Sequence, residues 1–173
     1  MNDLIPVTTQ PPLPDGFIIA RGWSKWVMEQ LTHRSIEPEM KIWVPKDSTE
    51  RFSTIETAIK WGERDEHVVY SLVNGQELAG IVWFTKYDTP KVEDAEYTFA
   101  IRMYEGARGK GLSSSFAQAA LDDLAEYTGY EGKVWLETGV DNEIALRLYH
   151  RLGFETSVFH GDRVTLIRPA ISK

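Results

Sequence analysis

Alternating hydrophobic and polar residues mark the centre of the chain as a set of β-strands. Residues 67–73 and 77–87 are strand-like runs on either side of an Asn-Gly pair, and residues 95–103 form a third alternating run. Asn-Gly favours a tight hairpin because a type I′ turn needs positive φ at both central positions. The three runs predict an antiparallel meander, with a polar loop at residues 88–94 before its last strand.

Apolar residues at helical spacing follow this meander. Residues 112–127 make the strongest predicted helix, with one apolar face and Gly129 as its C-terminal stop. Residues 144–152 predict a second helix, which ends at Gly153. A strand at residues 133–138 separates the two helices, so strands and helices alternate in this half of the chain.

The N-terminal part has weaker patterns. Residues 17–21 predict a short strand, and Ser24 is a candidate N-cap for the short helix that follows. Residues 35–46 contain two prolines and no helical period, so they predict a loop or an extended segment. A capping-box pattern at residues 47–50 predicts a second helix that runs to about Trp61.

The two ends of the chain complete the predicted architecture. Residues 1–14 hold four prolines and predict an irregular lead-in, whereas residues 15–173 predict one domain. Residues 156–160 and 163–168 predict a closing hairpin. The predicted order is β-α-α-β-β-β-α-β-α-β-β, and the expected fold class is α/β with a mixed, mostly antiparallel sheet.

Composition excludes several functional classes. Hydrophobic residues make up 42% and charged residues 26% of the chain, close to the averages of globular domains. Cysteine is absent, which excludes disulfides, cysteine-rich zinc sites and thiol nucleophiles. The net charge of -7 argues against a sequence-independent nucleic-acid binder. Neither a targeting nor a membrane-spanning segment is expected, so a soluble cytoplasmic protein is the default prediction.

A glycine-rich turn after the third meander strand gives the first chemical signal. Gly106, Gly109 and Gly111 stand just before the strongest predicted helix, where free backbone amides and the helix dipole favour a phosphate group. The order of these glycines is the reverse of the Rossmann fingerprint. A P-loop needs Ser or Thr after its Gly-Lys pair, but Lys110 is followed by glycine. The turn therefore predicts a phosphate site that belongs to neither motif.

Two blocks of residues extend this signal. The first block is the turn itself, Arg108-Gly109-Lys110-Gly111-Leu112-Ser113. The second comprises Trp135-Leu136-Glu137 on a predicted strand, followed by Asn142, Ala145, Tyr149 and Gly153-Phe154. Together they resemble the GNAT superfamily of N-acetyltransferases, whose motifs are Arg/Gln-x-x-Gly-x-Gly/Ala and Asn-x-x-Ala-x-x-x-Tyr-x-x-x-Gly-Phe. Ser113 departs from the Gly or Ala that is usual at its position in that family.

The resemblance implies acetyl-CoA as the co-substrate and a sheet that splays open beside it. In the family, the pantetheine arm pairs with strand backbone, which here implies Ile101, Arg102 and Met103. The pyrophosphate would lie on the amides of residues 108–113, and Asn142 would bond the cofactor arm. The family requires no metal, and the histidines of this chain show no ligand spacing.

The resemblance also assigns catalytic roles. Tyr149 stands at the family's general-acid position, from which a phenol could protonate the departing thiolate. The segment around Glu137 is similar to the ribosomal-protein alanine acetyltransferases, in which a glutamate at this position acts as the base. Its rival is Glu96, because residues 95–101 resemble the histone-acetyltransferase branch. Glu137 is the preferred base, and Glu96 stays open as the alternative.

The acceptor implied by the resemblance is an amine, on a small molecule or on a protein. Neither stable nucleic-acid binding nor a membrane is expected, and the lead-in and closing hairpin could serve a homodimer. The alternative function is a non-catalytic GNAT-like module that senses a CoA thioester or binds a partner, and an acyl group other than acetyl also stays open. The following aromatic residues could line the acceptor pocket, although core packing is their commoner role: Trp23, Trp26, Trp43, Trp61 and Trp83.

Overall fold

A mixed sheet organises the computed structural model, which describes residues 3–87 and 91–170. Among these residues, eight strands pair in the order β1-β2-β3-β4-β5-β6-β8-β7, and every neighbouring pair is antiparallel except β5 and β6. This sheet confirms the predicted fold class. The strands are β1 Ile5–Pro6, β2 Phe17–Arg21, β3 Glu66–Asn74, β4 Glu77–Lys86, β5 Tyr97–Met103, β6 Val134–Gly139, β7 Glu155–His160 and β8 Arg163–Arg168.

Five α-helices in the described part of the chain cover the two faces of this sheet. Apolar residues of α4 and α5 pack into a core on one face, and those of α1, α2 and α3 pack into a second core on the other. Within residues 3–87 and 91–170, no helix is both long and apolar enough to cross a membrane. The helices are α1 Lys25–Arg34, α2 Pro38–Trp43, α3 Ile55–Arg64, α4 Leu112–Thr128 and α5 Glu143–Arg151.

Local sequence signals account for several helix ends. The Ser24 hydroxyl accepts a hydrogen bond from the Val27 N–H at 3.3 Å, so the predicted N-cap of α1 is confirmed. The predicted stop of α4 is confirmed as well, because Gly129 has a φ of 72° and its N–H donates to the carbonyl of Ala125. Glycine ends the helix there because it adopts this left-handed conformation without a steric penalty.

The N-terminal part contains more regular structure than its pattern predicts. The prediction of a loop over residues 35–46 is wrong, because Pro38 begins α2 and its fixed φ suits the first turn of a helix. In the Pro-rich lead-in, β1 pairs with β2, and the Val7 N–H donates to the Ile19 carbonyl at 3.1 Å. Parts of the predicted lead-in, polar loop and C-terminal end lie outside the described residues, namely 1–2, 88–90 and 171–173.

The segment between α2 and α3 also differs from the prediction. Asp47–Arg51 forms a short π-helical turn instead of beginning the second helix. The Asp47 carboxylate is directed at two arginines and caps nothing, so the predicted capping box is wrong. The cap of α3 lies further along, where Thr54 and Thr57 each accept a hydrogen bond from the other's backbone N–H.

Candidate active site

The pairing between β5 and β6 stops after two residues. The parallel ladder joins Tyr97 to Val134 and Thr98 to Trp135, and the two described strands do not pair beyond this point. Because β5 continues to Met103, its far end borders a gap in the sheet. Backbone groups that face such a gap lack a strand partner and are available to a ligand.

The register with β4 decides which residues of β5 face this gap. The Tyr104 N–H donates to the Ala79 carbonyl at 3.0 Å, so the backbone groups of Tyr104 point toward β4. Because successive residues of a strand direct their backbone groups to opposite sides, every second residue before Tyr104, including Arg102, also faces β4. Of the strand residues implied by the family resemblance, Arg102 therefore offers only its side chain. The residues in between direct their N–H and C=O groups toward β6, and two of them, Ile101 and Met103, lie beyond the last β5–β6 pair and face the gap.

The three glycines of the turn that follows β5 adopt left-handed backbone conformations. Their φ angles are 87° at Gly106, 72° at Gly109 and 70° at Gly111. A Cβ added to any of them would meet nothing within 4 Å, so open space lies on that side of the turn. Gly111 is the N-cap of α4, and no side chain caps the amides that follow it. Uncapped N–H groups beside open space, as far as Ser113, fit an anionic phosphate.

The side chains of the turn contribute less than its backbone. The guanidinium of Arg108 donates to the carboxylates of Glu37 and Glu39, both at 2.7 Å. Lys110 is exposed, whereas the side chain of Leu112 belongs to the core. Phosphate binding at this turn would therefore depend on backbone amides.

Helix α5 places Tyr149 beside β5. Its ring centroid lies 6.0 Å from that of Phe99 and 6.1 Å from that of Phe154, both in edge-on geometry. Burial raises the pKa of the Tyr149 phenol above its ordinary value, and the charges of Arg102 and Arg163 oppose this rise. The phenol is consequently protonated at neutral pH, as a proton donor must be.

Two further side chains, one on β6 and one after it, carry N–H donors that a ligand could use. The Asn142 side-chain oxygen accepts from the Ala145 N–H at 3.3 Å and caps α5, which leaves the amide NH₂ for a ligand. Trp135 is 5% exposed, and its indole N–H has no partner among the described residues. A buried donor without a partner is rare, so a ligand or water beside the last β5–β6 pair would satisfy it. The sequence marked Trp135 only as part of a motif, because its packing is not visible there.

The two candidate bases lie at different levels along β5. Continuing the register of the parallel ladder places Glu137, which is exposed, level with Ala100 and beside the open part of the gap. Glu96 precedes β5 and pairs with Lys86 at 3.3 Å. At a strand rise of about 3.3 Å per residue, the two levels are about 13 Å apart. Glu137 therefore lies on the part of β6 beyond the last β5–β6 pair, which borders the gap, whereas Glu96 lies before β5.

A buried ion pair joins β5 to the π-helical turn. Arg102 donates from Nε to the Asp47 carboxylate at 2.7 Å and from Nη1 to the Ile101 carbonyl at 2.9 Å. Its guanidinium lies 4.7 Å from the centre of the Trp83 ring. Asp47 is 1% exposed and also accepts from Arg51 at 2.8 Å. Sequence reasoning missed this role of Asp47, because the partner lies on a distant strand.

The tryptophans proposed for the acceptor pocket divide between core and surface. Two are buried in the core that α1, α2 and α3 cover, two are partly buried against it or beside it, and one is exposed on α2. Four of the five therefore contribute to packing, and the exposed one is the most open to an acceptor in solution. The buried pair is Trp61 and Trp83, the partly buried pair is Trp23 and Trp26, and the exposed one is Trp43.

Comparison with known sequences agrees with this geometry. The family model described as Acetyltransferase (GNAT) family matches residues 27–154. The N-alpha-acetyltransferase 30 of Schizosaccharomyces pombe is 38% identical to this chain over 58 residues. That match covers 34% of this chain and 37% of the relative, so the similarity spans little more than a third of either protein.

Solved structures share the fold over nearly the whole chain. The spermidine N-acetyltransferase from Vibrio cholerae, solved with CoA and spermine, has a TM-score of 0.70 at 16% identity, with 91% of this chain and 97% of that chain covered. The ribosomal-protein-S5-alanine acetyltransferase from Vibrio fischeri has a TM-score of 0.70 at 13% identity, with coverages of 91% and 95%. Identities this low show a shared fold and nothing about substrates. The family model, however, spans both motif blocks and most of the sequence, and the chain therefore belongs to the GNAT acetyltransferase family.

Proposed function

We propose that this protein is an acetyl-CoA-dependent N-acetyltransferase that transfers an acetyl group directly to an amine. The observation that carries the proposal is the gap between β5 and β6. Backbone groups of β5 that have no strand partner line one side of this gap, the glycine turn follows at its end, and the protonated phenol of Tyr149 lies beside it. Membership of the acetyltransferase family supports the same reaction class.

The residues around the gap fit acetyl-CoA by their donors and acceptors. The Ile101 N–H and the backbone groups of Met103 can pair with amide groups of an extended arm, in the way that a neighbouring strand would, whereas the Ile101 carbonyl already accepts from Arg102. The amides from Gly109 to Ser113 offer uncapped donors to phosphate oxygens. Bound acetyl-CoA would supply the activated acetyl thioester. The side-chain NH₂ of Asn142 is one more donor for the bound arm.

Two residues would handle protons. Tyr149 holds a proton on its hydroxyl and can give it to a leaving thiolate, because the raised pKa keeps the phenol neutral at physiological pH. Glu137 is the preferred base, which would take a proton from the acceptor ammonium directly or through one water. Glu96 is the weaker alternative, since it lies before β5 and is paired with Lys86.

The acceptor is proposed only as a class, an amine on a small molecule or on a polypeptide. The relatives' names support that breadth, since they include a spermidine N-acetyltransferase and an N-alpha-acetyltransferase. The exposed Trp43 on α2 and the exposed Glu137 on β6 are the residues that such an acceptor could approach from solvent.

Acetyl transfer to an amine panel tests this proposal. The protein is incubated with acetyl-CoA and either spermidine, a peptide with a free α-amine, or an N-blocked peptide that contains lysine, and products are identified by mass spectrometry. We expect at least one acetylated product, and Glu137→Gln should lower kcat by about 100-fold. Glu96→Gln is the matched control and should change kcat by less than about twofold.

Other outcomes would contradict parts of the proposal. CoA binding without acetylation of any amine would favour the non-catalytic thioester-binding module. A loss of activity in Glu96→Gln but not in Glu137→Gln would move the base to Glu96. Failure to bind either CoA or acetyl-CoA would remove the proposed function altogether.

A further inference from the structure

The glycine turn is held against α2 by ion pairs centred on Arg108. Its Nη2 donates to Glu37 and its Nη1 to Glu39, each at 2.7 Å. The oxygen of Glu37 that receives Arg108 also accepts from the backbone N–H of Glu105 at 2.9 Å. Glu37 is only 9% exposed, so its bonds to the turn are protected from competing water.

The same carboxylate connects two further segments to the turn. Arg34, at the end of α1, donates to the second oxygen of Glu37 and to Glu77, both at 3.2 Å. The cluster therefore joins α1, α2, the start of β4 and the glycine turn. With Arg108 and Glu39 included, the cluster contains two arginines and three glutamates. A phosphate that approached Arg108 would meet a net negative cluster instead of a free cation.

We propose that Arg108 is a positioning residue for CoA and not a phosphate ligand. By bridging Glu37 and Glu39, it fixes the glycine turn to α2, so that the backbone amides are already oriented when a phosphate arrives. Glycine-rich turns are flexible by themselves, and orientation before binding lowers the entropic cost of binding. This inference rests on the proposed function, since it takes the turn to be the CoA site.

Substitution of Glu37 separates a positioning role from a ligand role. Glu37→Gln keeps Arg108 and removes the charge that holds it. If Arg108 were a phosphate ligand, its release would leave CoA affinity unchanged or increase it. A positioning role predicts the opposite, a rise of about tenfold in the Kd of CoA, equal to about 1.4 kcal/mol. Isothermal titration calorimetry with CoA measures this without any turnover.

Arg108→Lys gives an independent test of the same role. Lysine keeps a positive charge that could bind phosphate, but it lacks the planar fork that bridges two carboxylates. We expect a similar rise in Kd, and the double variant with Glu37→Gln should show little further loss, because both changes break one bridge. The KM for acetyl-CoA should rise while kcat at saturation is retained, which a loss of stability alone would not produce.

The controls distinguish this effect from misfolding and from general charge. Glu29→Gln removes a surface carboxylate of α1 that pairs with Lys25 at 3.6 Å, and it should leave the Kd of CoA unchanged. If Glu37→Gln fails to fold, the 58% exposed side chain of Glu39 provides a milder variant, Glu39→Gln, with a smaller loss in the same direction. Unchanged or tighter CoA binding in the folded variants would overturn the inference. Absence of CoA binding by the unaltered protein would instead overturn the proposed function.

Discussion

At the residue scale, the proton-donor role proposed for Tyr149 depends both on a sequence motif and on the packing around its phenol. The spacing of Asn142, Ala145 and Tyr149 along the chain is enough to predict a proton donor. The tertiary structure adds the physical reason, because the phenol packs against two aromatic rings and its burial raises its pKa. The motif contains one of those rings, Phe154, but not the other, because Phe99 lies on a strand 50 residues earlier in the chain.

Tyr149→Phe should lower kcat by about 100-fold, because it removes the proton for the leaving thiolate and preserves the packing. The KM for acetyl-CoA should stay within about twofold, since the ring contacts remain. The ordinary pKa of a phenol is about 10, and that of Tyr149 is raised. In the unaltered protein, ionisation of Tyr149 should therefore not lower kcat at any pH below about 10. Steady-state kinetics across pH would measure both effects. Retention of full kcat by the variant would remove Tyr149 from the acid role.

At the element scale, the glycine turn and α4 were visible in the sequence, whereas α2 and the π-helical turn were not. Glycines before a long amphipathic run are a local signal, and each of the three indeed has a positive φ. The position of Asp47 depends on Arg102, on a strand 55 residues away. No periodicity of the Asp47 segment carries that information, so its local pattern suggested a helix cap instead.

Gly111→Ala should weaken CoA binding more than it destabilises the fold. The φ of 70° would strain an alanine by about 1–2 kcal/mol, and the new Cβ would enter the open space beside the uncapped amides. The matched control is Gly129→Ala at the other end of α4, where φ is 72° and the surroundings are equally open. Both variants should lose similar thermal stability, but only Gly111→Ala should raise the Kd of CoA. Equal affinities would contradict the assignment of the turn.

At the scale of the whole molecule, two cores on opposite faces of the sheet place several phenols out of contact with water. Tyr70 and Tyr104 are among the largest fully buried side chains, and burial raises the pKa of each well above its ordinary value. The hydroxyl of Tyr70 also donates to Asp123 at 2.9 Å, which links β3 to α4. Ionisation of these phenols is therefore opposed by the folded state.

Stability should consequently fall in alkaline solution. A phenol whose folded-state pKa is raised stabilises the fold fully below its unfolded pKa of about 10, and this contribution is lost as the pH rises further. Each such phenol gives a slope of about 1.4 kcal/mol per pH unit above that point. Urea unfolding at a series of pH values would measure the slope. Tyr104→Phe should make it shallower, and an unchanged slope would show that Tyr104 does not contribute.

The sequence by itself determined the mixed α/β fold, the glycine turn and the two motif blocks of the acetyltransferase family. These are local features, because strand alternation, helix caps and positive-φ glycines depend on neighbouring residues. Only the tertiary structure decided which backbone groups of β5 face the gap, since that follows from hydrogen bonds with β4. It also decided that Arg108 bonds to Glu37, 71 residues earlier, instead of standing free for a phosphate. Ion pairs between distant segments have no periodicity along the chain, and folding is what brings their charges together.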